Sequence, residues 1–436
     1  MALGGGNWIS QNKDLPGAYI NYVSLSNANS ALSDRGIATM PLELDWGVDD
    51  GVFTVTNEDF QKNCLKIFGY PSTDDRMKGL RDLFIGCKTL HTYRLNGGGK
   101  KAVNDLAEAK YSGTRGNDIK IVIQANVDEP EKWDVLTYMD TSRVDEQTVA
   151  NKADLKANDY VTFKTSTMEL AKTAGTPLAG GTNGTADGDA HSKYLNKIES
   201  YTFNTMGVVI TDDPTKKLYI AFQKRLRDEV GKKFQTVLYR VDSDYLGVIS
   251  AKNKVIDDGW SEASIVYWLT GKECACPVQS SLEATKYDGE FSVDTDFTQT
   301  DLKNFIKAGQ LVLHNVDGEI EVLVDINTLV TLTETCGEVF QDNQTIRVID
   351  QLGNDDAVLF NTKYRGKIPN KASGRTALWS DLVQIRKNLQ DLGAIEDFSD
   401  KDVVVTQGNS KKSVVVTDAI TVVNAMSKMY MTTTVQ

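Results

Sequence analysis

Three histidines, His91, His191 and His314, are the only imidazoles in 436 residues. A hydrolase needs a nucleophile, a base and a third group to orient the base. None of the three histidines sits in a serine-protease motif, and G-x-S-x-G, H-E-x-x-H and C-x-x-C are all missing. Gly97-Gly98-Gly99 before Lys100-Lys101 resembles a phosphate loop, but it lacks the first glycine and the Ser/Thr after lysine, so it reads as a surface turn. Cys274-Ala275-Cys276 is too tight for a zinc knuckle and reads as small apolar packing near a helix end. Asp294, Asp296 and Asp301 lack the glycine and terminal glutamate of a calcium loop. The residues therefore point to no catalytic group, no metal and no cofactor.

Two other features stand out. Residues 362–375, TKYRGKIPNKASGR, carry Lys363, Arg365, Lys367, Lys371 and Arg375 with no acid among them. In a chain of net charge −12 this is a local basic patch, either a solvated loop or a docking surface for an acidic partner. The second feature is MYMTTTVQ at 429–436. As a strand, Met429, Met431, Thr433 and Val435 would face one side and Tyr430, Thr432 and Thr434 the other. No charge or proline protects it, so it is an edge that something must cover.

The elements that would position these features divide the chain into several domains. Its length predicts two to four. Residues 1–30 read as an arm and linker, with Ala18, Tyr19, Ile20, Asn21, Tyr22 and Val23 in an extended run. Residues 31–92 form a small first domain: a strand at 36–44 interrupted by Pro41, then a helix whose capping box is Thr56 with Asp59 and whose stripe is Phe60, Cys64, Ile67 and Phe68. Residues 93–189 lose helical periodicity and read as an inserted β-sandwich, ending in a flexible glycine-rich linker at 173–189. Residues 190–332 alternate helix and strand, an α/β layer pattern, with Leu218, Phe222, Leu226 and Val230 as the buried stripe of a helix begun at Asp213-Pro214. Residues 333–436 hold a helix with Leu378, Leu382, Ile385, Leu389 and Leu392 inward, a hairpin of 403–406 with 413–417, and the terminal strand.

Composition narrows the class further. The acidic balance argues against nucleic acid as a partner. No run of 18 apolar residues spans a membrane, and the first ten residues have no secretory n- or h-region. Five scattered cysteines fit a reducing cytoplasm. Asn183-Gly184-Thr185 and Asn343-Gln344-Thr345 match the glycosylation pattern, which is common by chance and has no meaning in a cytoplasmic chain.

Four stretches resemble the tail sheath proteins of contractile phages, phage-like particles and R-type bacteriocins: MALGGGNW with LPGAYINYVS at 15–24, DRGIATMPLELDWG at 34–47, AKYSGTRGNDIKIVI at 109–123, and VTDAITVVNAMSKMYMTTTV at 416–435. The resemblance runs end to end. It implies a multidomain α+β and α/β chain: a small N-terminal domain, an inserted β-sandwich, a subtilisin-like α/β domain and a C-terminal α+β domain with strand-exchanging arms. It also implies stacked hexameric rings in a helical sleeve around a tail tube, with baseplate and tail terminator as further partners. Such a sleeve is assembled in the bacterial cytoplasm, becomes part of a released particle, and contracts to drive the tube through a cell envelope. On this resemblance Ala18–Val23 and Met429–Val435 are inter-subunit arms. Lys363, Arg365, Lys367, Lys371 and Arg375, with Arg386 and Lys387 on the helix that follows, face the tube. The alternative is a hydrolase using the subtilisin-like domain, for which the residues supply no triad.

Overall fold

The structure, a computed structural model, describes Leu32 and residues 34–435. Two compact units emerge: Asp34–Asp350 with the segment from Val423 onward, and Gln351–Val422. The boundary at Asp350 falls within helix Asn343–Leu359. The expected arm at Ala18–Val23 lies outside the described residues.

The larger unit is built on a seven-stranded sheet. Its strands run in the order Gln310–Leu311, Val248–Ala251, Gln235–Tyr239, Thr205–Val208, Ile37–Leu42, Thr89–Arg94 and Val52–Thr56. All neighbours are parallel except the last pair. Successive strand residues point to opposite faces, and both faces are covered. Val237, Tyr239 and Ile249 enter a core with Phe60, Leu83 and Trp268. Leu238 and Val248 enter the opposite core with Tyr194, Tyr219 and Phe222. Pro41 is tolerated in a central strand because Thr205–Val208 pairs only as far as Thr39, so beyond it the prolyl nitrogen opposes no ladder acceptor. The capping box at Thr56 and Asp59 forms as the sequence predicts, with Phe60, Cys64 and Phe68 buried.

The β-sandwich is inserted between Thr89–Arg94 and helix Gly188–Ile198. One sheet holds Lys101–Val103, Ala107–Ser112 and Val161–Phe163; the other holds Thr176–Pro177, Ile119–Ala125, Trp133–Met139 and Ser142–Val149. Ile119, Ile121 and Ile123 alternate inward, against Ala107, Ala109, Val135 and Val161.

Two expectations are overturned here. The stretch 173–189 is not a flexible linker. Its Thr176–Pro177 strand pairs with Lys120 and Ile121, Thr182 N–H donates to the Lys100 carbonyl at 3.0 Å, and Gly184 N–H donates to that of Asn96 at 2.9 Å. A Cβ on Gly99 would lie 1.9 Å from the Thr182 carbonyl oxygen, and one on Gly184 2.1 Å from that of Gly97. These glycines serve close backbone approach rather than freedom. Val230 is also exposed, not buried. The Asp213–Lys224 helix widens into a π-turn over Arg225–Val230, which advances the register and buries Arg227 instead. The Arg227 guanidinium donates from Nη2 to Asp350 Oδ1 at 2.6 Å.

The unit Gln351–Val422 centres on helix Ala372–Asp391. Leu378, Leu382, Ile385 and Leu389 are buried as their spacing predicts, whereas Leu392 follows the helix and is exposed, and Gly393 takes a left-handed φ of 75°. A two-residue ladder joins Ile395–Glu396 to Thr421–Val422, and an antiparallel hairpin joins Val404–Gln407 to Val414–Thr417.

Candidate functional site

The groups that could do acid–base chemistry are built into the scaffold. His191 Nδ1 lies 2.7 Å from the Tyr219 hydroxyl in the helical layer, and His314 Nε2 lies 3.6 Å from Glu321 across a hairpin. His91 Nδ1 is 2.9 Å from Thr54 Oγ1, with its ring against Tyr201. Burial pushes His91 and His191 below the usual imidazole range. Cys64 and Cys276 are pushed by burial up to about 12, so both are packed thiols rather than nucleophiles. The most perturbed acid, Glu273, is raised to about 8 by desolvation and by Asp325, but it is enclosed beside Arg347 and opens into no cleft. Among the described residues no cluster of His, Cys, Asp or Glu could hold a metal ion, and no helix is long and apolar enough to cross a membrane.

The chain end is different. Through Ser427 it is held: Gln344 bonds the backbone at Val423 and Ala425, Thr345 bonds Asn424, and Ser427 bonds Glu283. From Met429 to Val435 it belongs to no strand, contrary to the alternation read from the sequence. The reason is the lack of a ladder partner among the described residues. Tyr430 is 91% exposed, and Met429, Met431 and Val435 are nearly as open, with Thr432, Thr433 and Thr434 also exposed. Contiguous exposed apolar side chains of this size are uncommon on monomeric surfaces.

A matching deficiency exists in the hairpin Val404–Gln407/Val414–Thr417. It pairs Val404 with Thr417 and Gln407 with Val414, and no further strand joins it among the described residues. Val404, Val415 and Val416 are exposed. Trp379 Nε1 fixes its base, donating to the Val403 carbonyl at 2.9 Å and the Asp400 carbonyl at 3.2 Å. A pocket of about 320 Å³ opens beside Val414 among Phe360, Tyr364, Ile368 and Arg375. Another, about 640 Å³, opens beside Val403, Val404 and Val405 along Thr376 and Trp379. The sequence marks the hairpin by its two valine-rich runs. That both its strands stay open was not visible, because openness is a property of what fails to pack there.

The basic residues separate into three kinds. Arg386 is 2% exposed and forks between Asp356, at 2.6 and 2.7 Å, and Asp418, at 2.6 and 3.0 Å, so it cannot face a tube. The sequence places a positive charge on that helix but cannot show that two acids from elsewhere in the unit meet it. Lys363 and Lys387 are partly exposed and paired, to Asp381 at 2.7 Å and Asp400 at 2.8 Å. Arg365, Lys367, Lys371 and Arg375 form no ion pair among the described residues, and the first three are exposed.

Comparisons with known proteins match this arrangement along the chain. Residues 35–95 match the N-terminal region of tail sheath protein Gp18 domain III, 96–183 the phage tail sheath β-sandwich domain, 184–328 the phage tail sheath central domain, and 335–436 the phage tail sheath C-terminal domain. The phage-like element PBSX protein XkdK of Bacillus subtilis is 30% identical, covering 98% of this chain and 99% of its own. The crystal structure of the sheath tail protein of Desulfitobacterium hafniense is 37% identical, with a TM-score of 0.78 over 90% of this chain and 93% of that one. The helical sheath of the anti-feeding prophage, solved in its contracted state, shares the fold at 10% identity, with a TM-score of 0.56 over 97% and 99%. The chain belongs to the phage tail sheath protein family. It is a structural sheath subunit with a multidomain α+β fold that includes a β-sandwich, not an enzyme.

Proposed function

We propose that the subunit polymerises as stacked hexameric rings in a helical sleeve around a tail tube, joined by exchanged terminal strands. The observation that carries this is paired incompleteness: an uncovered apolar segment at Met429–Val435 and a two-stranded hairpin with open space beside both strands. A donated strand supplies several backbone hydrogen bonds, each worth about 1 kcal/mol net, and buries alternate side chains at roughly 25 cal/mol per Å². The hairpin Val404–Thr417 of a neighbouring copy is the acceptor, and Ala18–Val23 is the second donor.

The sleeve contracts, with the energy stored in subunit packing and no nucleotide consumed. The likeness to a sheath solved in its contracted state supports the contraction. The domains are an arm and linker at 1–30, a small domain at 31–92, the sandwich at 93–189, a subtilisin-like domain at 190–332 and the C-terminal domain with its arm at 333–436. Arg365, Lys367, Lys371 and Arg375, with Lys363 and Lys387 at the rim, face the tube. Baseplate and tail terminator bound the sleeve, which assembles in the bacterial cytoplasm and leaves as part of a phage tail or phage-tail-like particle. Removing Met429–Gln436 should leave a folded, soluble subunit that forms no sleeves by electron microscopy and sedimentation. Sleeves of normal length from that chain would sink the strand-exchange reading.

A further inference from the structure

We propose that Gln344, assisted by Thr345, is a clamp that sets how much of the C-terminal arm is free to reach a neighbour. The proposal rests on the reading of that arm as the inter-subunit joint. Gln344 Nε2 donates to the Val423 carbonyl at 3.0 Å, and the Ala425 N–H donates to Gln344 Oε1 at 3.0 Å. One side-chain amide thus straddles Asn424. A residue in a parallel strand does the same with its own N–H and C=O, bonding residues two apart on its partner. Gln344 therefore gives the arm one rung of a ladder without being a strand. Thr345 Oγ1 donates to Asn424 Oδ1 at 3.2 Å, holding the straddled residue by its side chain.

The clamp is rigid. Gln344 is buried, and its N–H donates to Asp342 Oδ1 at 2.7 Å in the first turn of helix Asn343–Leu359. Asn343 is fixed between Gln235 and Asp325 at 2.8 and 2.9 Å. In the next turn Arg347 bonds Glu273 at 2.7 Å and Asp325 at 2.6 Å, all three enclosed. A side chain already immobilised loses little entropy when it grips the arm. The edge of the grip is sharp. Met426, next after Ala425, is fully exposed, and beyond it, among the described residues, only Ser427 is bonded, to the Glu283 side chain.

The consequence is a fixed reach. Once the exposed Ser427–Glu283 bond is given up, Met426–Val435 can span at most roughly 33–36 Å when fully extended. Opening the clamp would release Val423–Ala425 and add about 10 Å. It would add little more, because Val422 is held in its own ladder opposite Ile395.

The test uses the full chain. In Gln344→Ala, exchange of the Ala425 amide should accelerate by about tenfold or more, while amides of Gln235–Tyr239 keep their rates. Thr345→Val, which keeps the fold's shape, should give a smaller change in the same direction. Deleting Met426–Lys428 shortens the reach by about 10 Å and should abolish sleeves. Combining that deletion with Gln344→Ala should restore them. An unchanged Ala425 amide, or no restoration, overturns the clamp. So does normal assembly by the deletion chain when removal of Met429–Gln436 still blocks it. Assembly by the chain lacking Met429–Gln436 would instead overturn the joint itself, and the clamp with it.

Discussion

Replacing Arg386 with methionine tests whether the positive charge on helix Ala372–Asp391 serves stability or binding. The guanidinium is 2% exposed and makes two bonds to Asp356 and two to Asp418, at 2.6 to 3.0 Å. Removing one partner of a buried pair costs about 3–5 kcal/mol, mainly because the other charge is left unpaired. The Asp356 and Asp418 side chains keep 28% and 20% of their surface, so water recovers part of that loss and about 2–4 kcal/mol remains. The loss should have a pH signature. Burial already raises Asp356 above the usual carboxylate range, even with Arg386 beside it. Without Arg386 it rises further, so the folded variant binds protons that the unfolded chain does not. Its deficit relative to the parent should therefore shrink as pH falls through that raised value. Changing Asp356 and Asp418 to asparagine in the same variant should recover part of the stability. Hydrogen exchange of the 372–391 amides across a urea series measures all three effects. An Arg386→Met chain that matches the parent in exchange and fails only in tube binding would refute the reasoning and return Arg386 to the surface.

Charge reversal at Arg365 and Lys371 should leave stability within about 0.5 kcal/mol yet weaken co-sedimentation with tubes, most visibly at low salt. Unchanged tube binding at every salt concentration would remove them from the interface. Gly99→Ala should destabilise the base of the sandwich by at least about 2 kcal/mol, because its Cβ meets the Thr182 carbonyl at 1.9 Å; a neutral result in thermal denaturation would mean the stretch is loose after all. Glu273, raised to about 8 from an ordinary 4.5, keeps a proton in the folded state that the unfolded chain gives up. Stability should therefore fall as pH rises from about 4.5 to about 8. Asp82, raised by burial to about 6, adds a similar slope only at the lower end, and His91 and His191, lowered by burial from 6.5, add an opposite slope that ends near the unfolded imidazole value, so the interval from about pH 7 to 8 reports on Glu273. Glu273→Gln should flatten that interval, and an unaltered slope would assign it elsewhere.

Sequence alone determined the local elements. Capping at Thr56, the inward leucines of helix Ala372–Asp391 and the valine-rich hairpin are periodic or stereochemical signals carried by neighbours in the chain. The uncharged alternation of Met429–Val435 read as an edge strand, although the segment joins no strand among the described residues. Tertiary structure decided what each charged or small residue meets. Arg386 was indistinguishable from its neighbour Lys387 until Asp356 and Asp418 closed on it. The stretch 173–189 has a linker's composition, and only the backbone opposite Gly181 and Gly184 shows that these two are contact points. The π-turn that exchanges Val230 for Arg227 has no sequence period. Gln344 carried no signal except a chance glycosylation pattern, because its partner lies 79 residues away and is backbone, which every residue type presents alike.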